Sequence, residues 1–78
     1  PDIRVNGVSP GPIAWPDAAL AEHGAIPEAE RARVLATTPL KREGGVESIA
    51  DAVAFLFSAA DYVTGQILAV DGGRSIHL

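Results

Sequence analysis

Residues 66–71, Gln-Ile-Leu-Ala-Val-Asp, form a nearly continuous apolar run closed by Gly72-Gly73. This run constrains the fold more than any other feature. A strand without polar alternation reads as buried on both faces, the condition of strands in parallel sheets packed between helices. Just upstream, Ile49, Ala52, Val53 and Leu56 repeat at i, i+3, i+4 and i+7 within residues 46–58 and define one apolar stripe of a helix. Phe55 and Phe57 lie off that stripe, so the helix is expected to bury a second side against another part of the protein or another subunit. A further β-rich run, residues 2–9, places Ile3 and Val5 on one face with Val8 following Gly7, and ends at Ser9-Pro10-Gly11-Pro12. Strand, helix and strand in this order predict neighbouring parallel strands joined by a right-handed crossover, the repeating unit of doubly wound α/β folds.

The size of the chain works against that unit standing alone. It has 78 residues, no cysteine and no methionine, so no disulfide can staple it. Below roughly 80 residues a single core seldom supplies more than about 3–5 kcal/mol without such help. The chain opens on Pro1-Asp2 without a starting methionine, and residue 1 is therefore expected to be an internal cut in a longer protein. Six basic residues against ten acidic ones, with no basic cluster, speak against a phosphate-tracking surface and hence against a nucleic-acid partner. No apolar run approaches the roughly 20 residues of a membrane span, and no basic segment precedes an apolar stretch in the manner of a signal peptide. The absence of cysteine fits a reducing cytosol, so a cytoplasmic location is expected.

Between Trp15 and Gly45 the sequence is rich in Ala, Glu, Pro and Gly. It carries two short helical patterns, at roughly 16–22 and 27–36, separated by His23-Gly24-Ala25-Ile26. Pro27 suits the first position of the second helix, and Glu28 and Glu30 favour the positive end of its dipole. Pro39 stops that helix, and 37–45 reads as a polar connection. His23 and His77 stand isolated, without acidic or cysteine partners at ligand spacing, and make no metal site.

The place for chemistry is the break at 9–13. Ligands of open α/β sheets bind beyond the carboxyl ends of the strands, and two prolines around Gly11 fix the backbone there while removing two donors. Binding by backbone, more than by side chains, is one reading; ordinary turn chemistry that merely ends a strand is the other.

The phrases Ile3-Arg4-Val5-Asn6-Gly7-Val8-Ser9-Pro10-Gly11-Pro12-Ile13, Pro39-Leu40-Lys41-Arg42, Ile49-Ala50-Asp51-Ala52-Val53-Ala54-Phe55-Leu56 and Tyr62-Val63-Thr64-Gly65-Gln66-Ile67-Leu68-Ala69-Val70-Asp71-Gly72-Gly73, in this order and spacing, resemble the C-terminal third of a short-chain dehydrogenase/reductase. Residues 12–17 together with 71–75 most resemble the bacterial pteridine reductases. The resemblance implies the C-terminal strand-helix-strand portion of a Rossmann-type doubly wound parallel sheet, with a short helical substrate lid at about 14–38. It implies that residues 1–78 are one fragment of a single reductase domain whose upstream cofactor-binding part is absent.

It further implies NADPH as cofactor, with Pro10, Gly11 and Ile13 against the nicotinamide. Pro12 and Trp15 would line the pocket of a pterin substrate, where an indole can pack on a flat ring for about 0.5–1.5 kcal/mol beyond burial; the same Trp15 also reads as a loop anchor. The family's glycine-rich phosphate loop and its Ser and Tyr-x-x-x-Lys acid system have no counterpart here. Tyr62 is followed four residues on by Gln66 and matches a structural turn, so no catalytic residue is expected in this segment and alone it is expected to be inactive. A homotetramer, built through the last helix and strand, is implied as well, and His77 is a candidate for contact with a neighbouring subunit's site. Two alternatives remain: another reductase of the family, such as a 3-oxoacyl-carrier-protein reductase or a sugar or steroid dehydrogenase, and a non-enzymatic association module that dimerises through helix 46–58.

Overall fold

The computed structural model describes residues 2–15, 24 and 26–76. Two parallel strands form its centre, β1 (Gly7–Pro10) and β4 (Ile67–Val70), in the register Gly7↔Ile67 to Pro10↔Val70. Between them come β2 (Ile13–Ala14), α1 (Glu28–Ala36), β3 (Gly44–Gly45) and α2 (Val46–Ser58). The expected helix at 46–58 is present with the same bounds, and it packs against β1, β3 and β4.

The first strand is shorter than the sequence pattern indicates. Residues 2–6 of the expected 2–9 run are not strand; their polar groups are committed elsewhere. Arg4 donates to the carbonyls of Leu56 (3.0 Å), Val63 (3.1 Å) and Phe57 (3.3 Å), and Asn6 donates to Val63 (2.9 Å). The last turn of α2 carries no basic residue of its own. Arg4 supplies that positive charge from 52 positions away, at the helix end where a cation is favoured.

The strand that reads as buried on both faces is open in this chain. Ile67 is 77% and Leu68 39% exposed. The reason is thickness: the shortest extent is 15 Å, room for a sheet and one helix layer at roughly 10 Å spacing but not for helices on both sides. Val53, Phe55 and Phe57 of α2 are at least half exposed too. Burial instead centres on Ile13, Ala60 and Thr38; the Thr38 hydroxyl, wholly inaccessible, donates to the Val34 carbonyl at 2.8 Å.

The second helix begins one residue later than expected. Pro27 is its N-cap, with extended ψ, and the helix ends at Ala36 ahead of Pro39. The helical pattern at 16–22, and with it most of the N-terminal half of the expected lid, lies outside the described residues, as do His23 and His77. The segment 37–45, read as a plain polar connection, contains β3, which pairs in parallel with β2 as Ile13↔Gly44 and Ala14↔Gly45. No helix among the described residues is long and apolar enough to cross a membrane.

Candidate functional site

The end of β1 turns from one strand partner to another, and the backbone can be followed group by group. Gly7 N–H donates to the Gln66 carbonyl (2.8 Å) and Gly11 N–H to that of Val70 (2.9 Å), so odd-numbered residues face β4. Pro10, an even position, therefore has its missing donor on the edge away from β4 and costs the ladder nothing. One residue later the partner changes: the Pro12 carbonyl accepts from Gly44 N–H at 2.9 Å. In that register the groups of β2 directed at β3 belong to Pro12 and Ala14, which leaves the N–H and C=O of Ile13 on the opposite edge.

The outcome is a loop with one donor to offer. Pro10 and Pro12 have no N–H and that of Gly11 is spent on Val70. Ile13 carries the remaining N–H between residues 10 and 13, beside its own carbonyl, and no described residue bonds to either. Ile13 as a whole is 6% exposed, and its side chain packs into the core over Gly44. The backbone of Ile13 is thus fixed from behind.

Gly11 is required by space. Its φ lies outside the left-handed region, and a Cβ there would stand 2.5 Å from both Cα and Cβ of Asp71. The contact brings the two strand ends together. Asp71 accepts from the N–H groups of Gly73 and Ser75, each at 3.0 Å. The Ser75 hydroxyl beside it, followed by these N–H groups, holds its carboxyl below the usual carboxylate range. Gly72 and Gly73 have φ of 64° and 90° and fold the chain onto Thr38 and Pro39, so Asp71-Gly72-Gly73 is a strand exit closed by a turn.

Pro10, Gly11, Pro12, Ile13 and Trp15 all border one cleft of about 270 Å³. Val34 and Leu35 of α1 line it too, with Arg31, Glu43 and Arg74 as its charged members. Arg31 donates through Nε to Glu43 at 2.8 Å and through a second nitrogen to the same oxygen. This pairing with Glu43 raises the guanidinium's pKa further above its ordinary value. A second hollow, about 370 Å³, lies across the loop against Thr37, Asp71 and Arg74. A third, about 740 Å³, is an open groove between residues 2–8 and α2 and contains no residue of the 10–15 loop. Tyr62 is fully exposed. Among the described residues no group of three His, Cys, Asp or Glu could hold a metal ion.

Sequence reasoning missed Arg31, Glu43 and Arg74 as members of the cleft. Their juxtaposition depends on how α1 folds back, and no periodicity encodes it.

A family model described as Enoyl-(Acyl carrier protein) reductase matches residues 1–75. The chain belongs to the short-chain dehydrogenase/reductase family. Among similar short-chain dehydrogenases/reductases, the 3alpha-hydroxysteroid dehydrogenase of Mediterraneibacter gnavus is 50% identical over 72 residues, covering 91% of this chain and 27% of that protein. The 3-oxoacyl-[acyl-carrier-protein] reductase of Thermotoga maritima is 42% identical over 76 residues, covering 96% and 29%. A crystal structure from Agrobacterium tumefaciens with bound NADP superposes with a TM-score of 0.73 at 41% identity, covering 91% of this chain and 28% of that one. The chain thus spans less than a third of the length of these short-chain dehydrogenases/reductases. None of the three is named as a pteridine reductase.

Proposed function

We propose that this chain supplies the nicotinamide-side wall and the substrate lid of an NADP(H)-dependent oxidoreductase that interconverts a ketone and a secondary alcohol. The observation that carries the reading is the donor–acceptor pair on the backbone of Ile13, left over when every other N–H from 10 to 13 is absent or used. A primary carboxamide, such as that of nicotinamide, offers one acceptor and one donor and matches the pair. Bound there, nicotinamide would supply or accept hydride. Pro10 and Gly11 hold the strand end in place, Ile13 orients the ring through its carboxamide, and Pro12 and Trp15 bound the space in front of it. Among the described residues no tyrosine, serine, histidine or lysine lines this cleft. The role of proton donor belongs to an upstream part of the protein, and the 78 residues alone are expected to be inactive.

The ketone or alcohol substrate is supported by the names of the two relatives, a hydroxysteroid dehydrogenase and a 3-oxoacyl reductase. One observation favours a pterin as second reading: the Trp15 indole is 51% exposed at the cleft beside Pro12, available to a flat ring. Exposed Phe57 and Ile67, at 84% and 77%, support assembly through α2 and β4 in a homotetramer.

The test is nicotinamide oxidation by the full-length protein, with NADPH and NADH each supplied alongside an acetoacetyl thioester, a ketosteroid or dihydrobiopterin. Turnover of either ketone supports the leading reading, and turnover of dihydrobiopterin alone transfers support to the second. Failure to bind either nucleotide overturns both.

A further inference from the structure

Helix α1 has no buried residue, yet its Val34 and Leu35 line the same cleft as Pro12 and Trp15. How it stays in place is therefore a functional matter. At its C-terminal end it is tied by the turn that follows: Thr37 and Thr38 bond back to Val34, Thr38 is wholly inaccessible, and Lys41 donates from Nζ to the Ala36 carbonyl. Toward its N-terminal end, Arg31 reaches Glu43, the residue next to β3. Among the described residues, the bonds to Glu43 are the side-chain hydrogen bonds that α1 itself donates beyond the helix. Glu28 adds a contact to Arg31 at 3.3 Å from within the helix.

The arrangement is a hinge at one end and an ionic clasp at the other. We infer that Arg31 and Glu43 are positioning residues that clasp α1 over the cleft and so set the distance between Val34–Leu35 and the Pro12–Trp15 wall. The role of that distance in substrate binding rests on the function proposed above. Glu43 is the anchored partner: its side chain is 20% exposed against 42% for Arg31, and it adjoins the ladder that holds Ile13. The clasp acts through the helix and touches no reacting atom.

The experiment compares full-length wild type, Glu43→Gln, and the exchange Arg31→Glu with Glu43→Arg by amide hydrogen exchange. Exposed ion pairs have modest strength and are screened by salt. Glu43→Gln is expected to speed exchange in 28–36 by about threefold while leaving 46–58 unchanged. The exchanged pair restores protection, and high salt mimics Glu43→Gln in the wild type and in the exchanged pair, with no further effect on Glu43→Gln itself. Kinetically, KM for the ketone rises in Glu43→Gln with kcat nearly unchanged. Equal exchange in wild type and Glu43→Gln, equal acceleration of both helices, or no recovery in the exchanged pair overturns the clasp. A protein that binds no nicotinamide would sink the oxidoreductase reading, yet the exchange comparison would still decide the clasp.

Discussion

Replacing Gly11 by alanine adds a single methyl group at the most crowded point of the fold. The new Cβ would lie 2.5 Å from Cα and Cβ of Asp71 and 3.2 Å from its carbonyl carbon. These are backbone or backbone-proximal atoms that cannot swing aside, so the loop must lift from the end of β4. Lifting it stretches the 2.9 Å bond from Gly11 to Val70. Overpacking of this kind costs about 1–3 kcal/mol and the lost bond about 1 kcal/mol, together about 2–4 kcal/mol. At a urea dependence of roughly 2–3 kcal/mol per molar, the unfolding midpoint of the full-length protein should fall by about 1 M. Gly7→Ala is the matched control, because its Cβ would meet only Ile67 Cγ1 at 3.7 Å, an ordinary contact; it should leave the midpoint in place or raise it slightly. The two variants share chemistry and sit at the two ends of the β1–β4 pairing, each donating its N–H to that partner segment. If Gly11→Ala unfolds at the same urea concentration as Gly7→Ala, close approach to Asp71 is not what demands glycine at 11, and the account of the loop is wrong.

Arg4→Ala removes all three of its bonds to the carbonyls near the end of α2; charged hydrogen bonds of this type suggest a loss of about 2 kcal/mol, with exchange in the last turn of α2 rising ahead of the first. Equal exchange along the helix would show that Arg4 is not its cap. Asp71 gives a pH signature. Its pKa is lowered in the fold, so its contribution to stability is fully present above the pKa of the unfolded chain and is lost as pH falls through the folded value. The stability gap between wild type and Asp71→Asn should therefore be widest near neutrality and close in acid; a gap that widens in acid would contradict the bonding seen at Gly73 and Ser75.

Local sequence carried much of this structure. The stripe Ile49, Ala52, Val53, Leu56 marked α2 to its observed bounds, because helical periodicity over thirteen residues is a signal few alternatives share. The run ending at Gly72-Gly73 marked β4 to within a residue at either end. Ser9 to Ile13 was legible as a break for a similar reason, two prolines leaving the chain little choice. What escaped detection was long-range. Arg4 is read locally as a strand residue, and nothing nearby reveals the helix end it caps. The β2–β3 ladder is two residues long, too short for any alternation, and two of its four residues are glycines. Arg31 and Glu43 each sit in a plausible solvated setting until α1 folds back and joins them. Residues 2–6 show the converse error: a β-like pattern was present, but side-chain bonds to the 56–65 region replaced a ladder.

On the function proposed above, the spare backbone pair of Ile13 would also act as a chemical filter. An amide satisfies both of its groups at once, giving an acceptor to the N–H and a donor to the carbonyl. A carboxylate of the same shape would satisfy only the first and turn a second negative oxygen toward the carbonyl. With proline at 10 and 12 and Gly11 committed to Val70, Ile13 has the one unspent N–H between residues 10 and 13, and an acid would turn instead to the Arg31 and Arg74 guanidiniums that border the same cleft. Two prolines chosen for what they lack would thus let a stretch of main chain favour an amide over its acid, with Arg31 and Arg74 as the side chains whose removal would sharpen that preference.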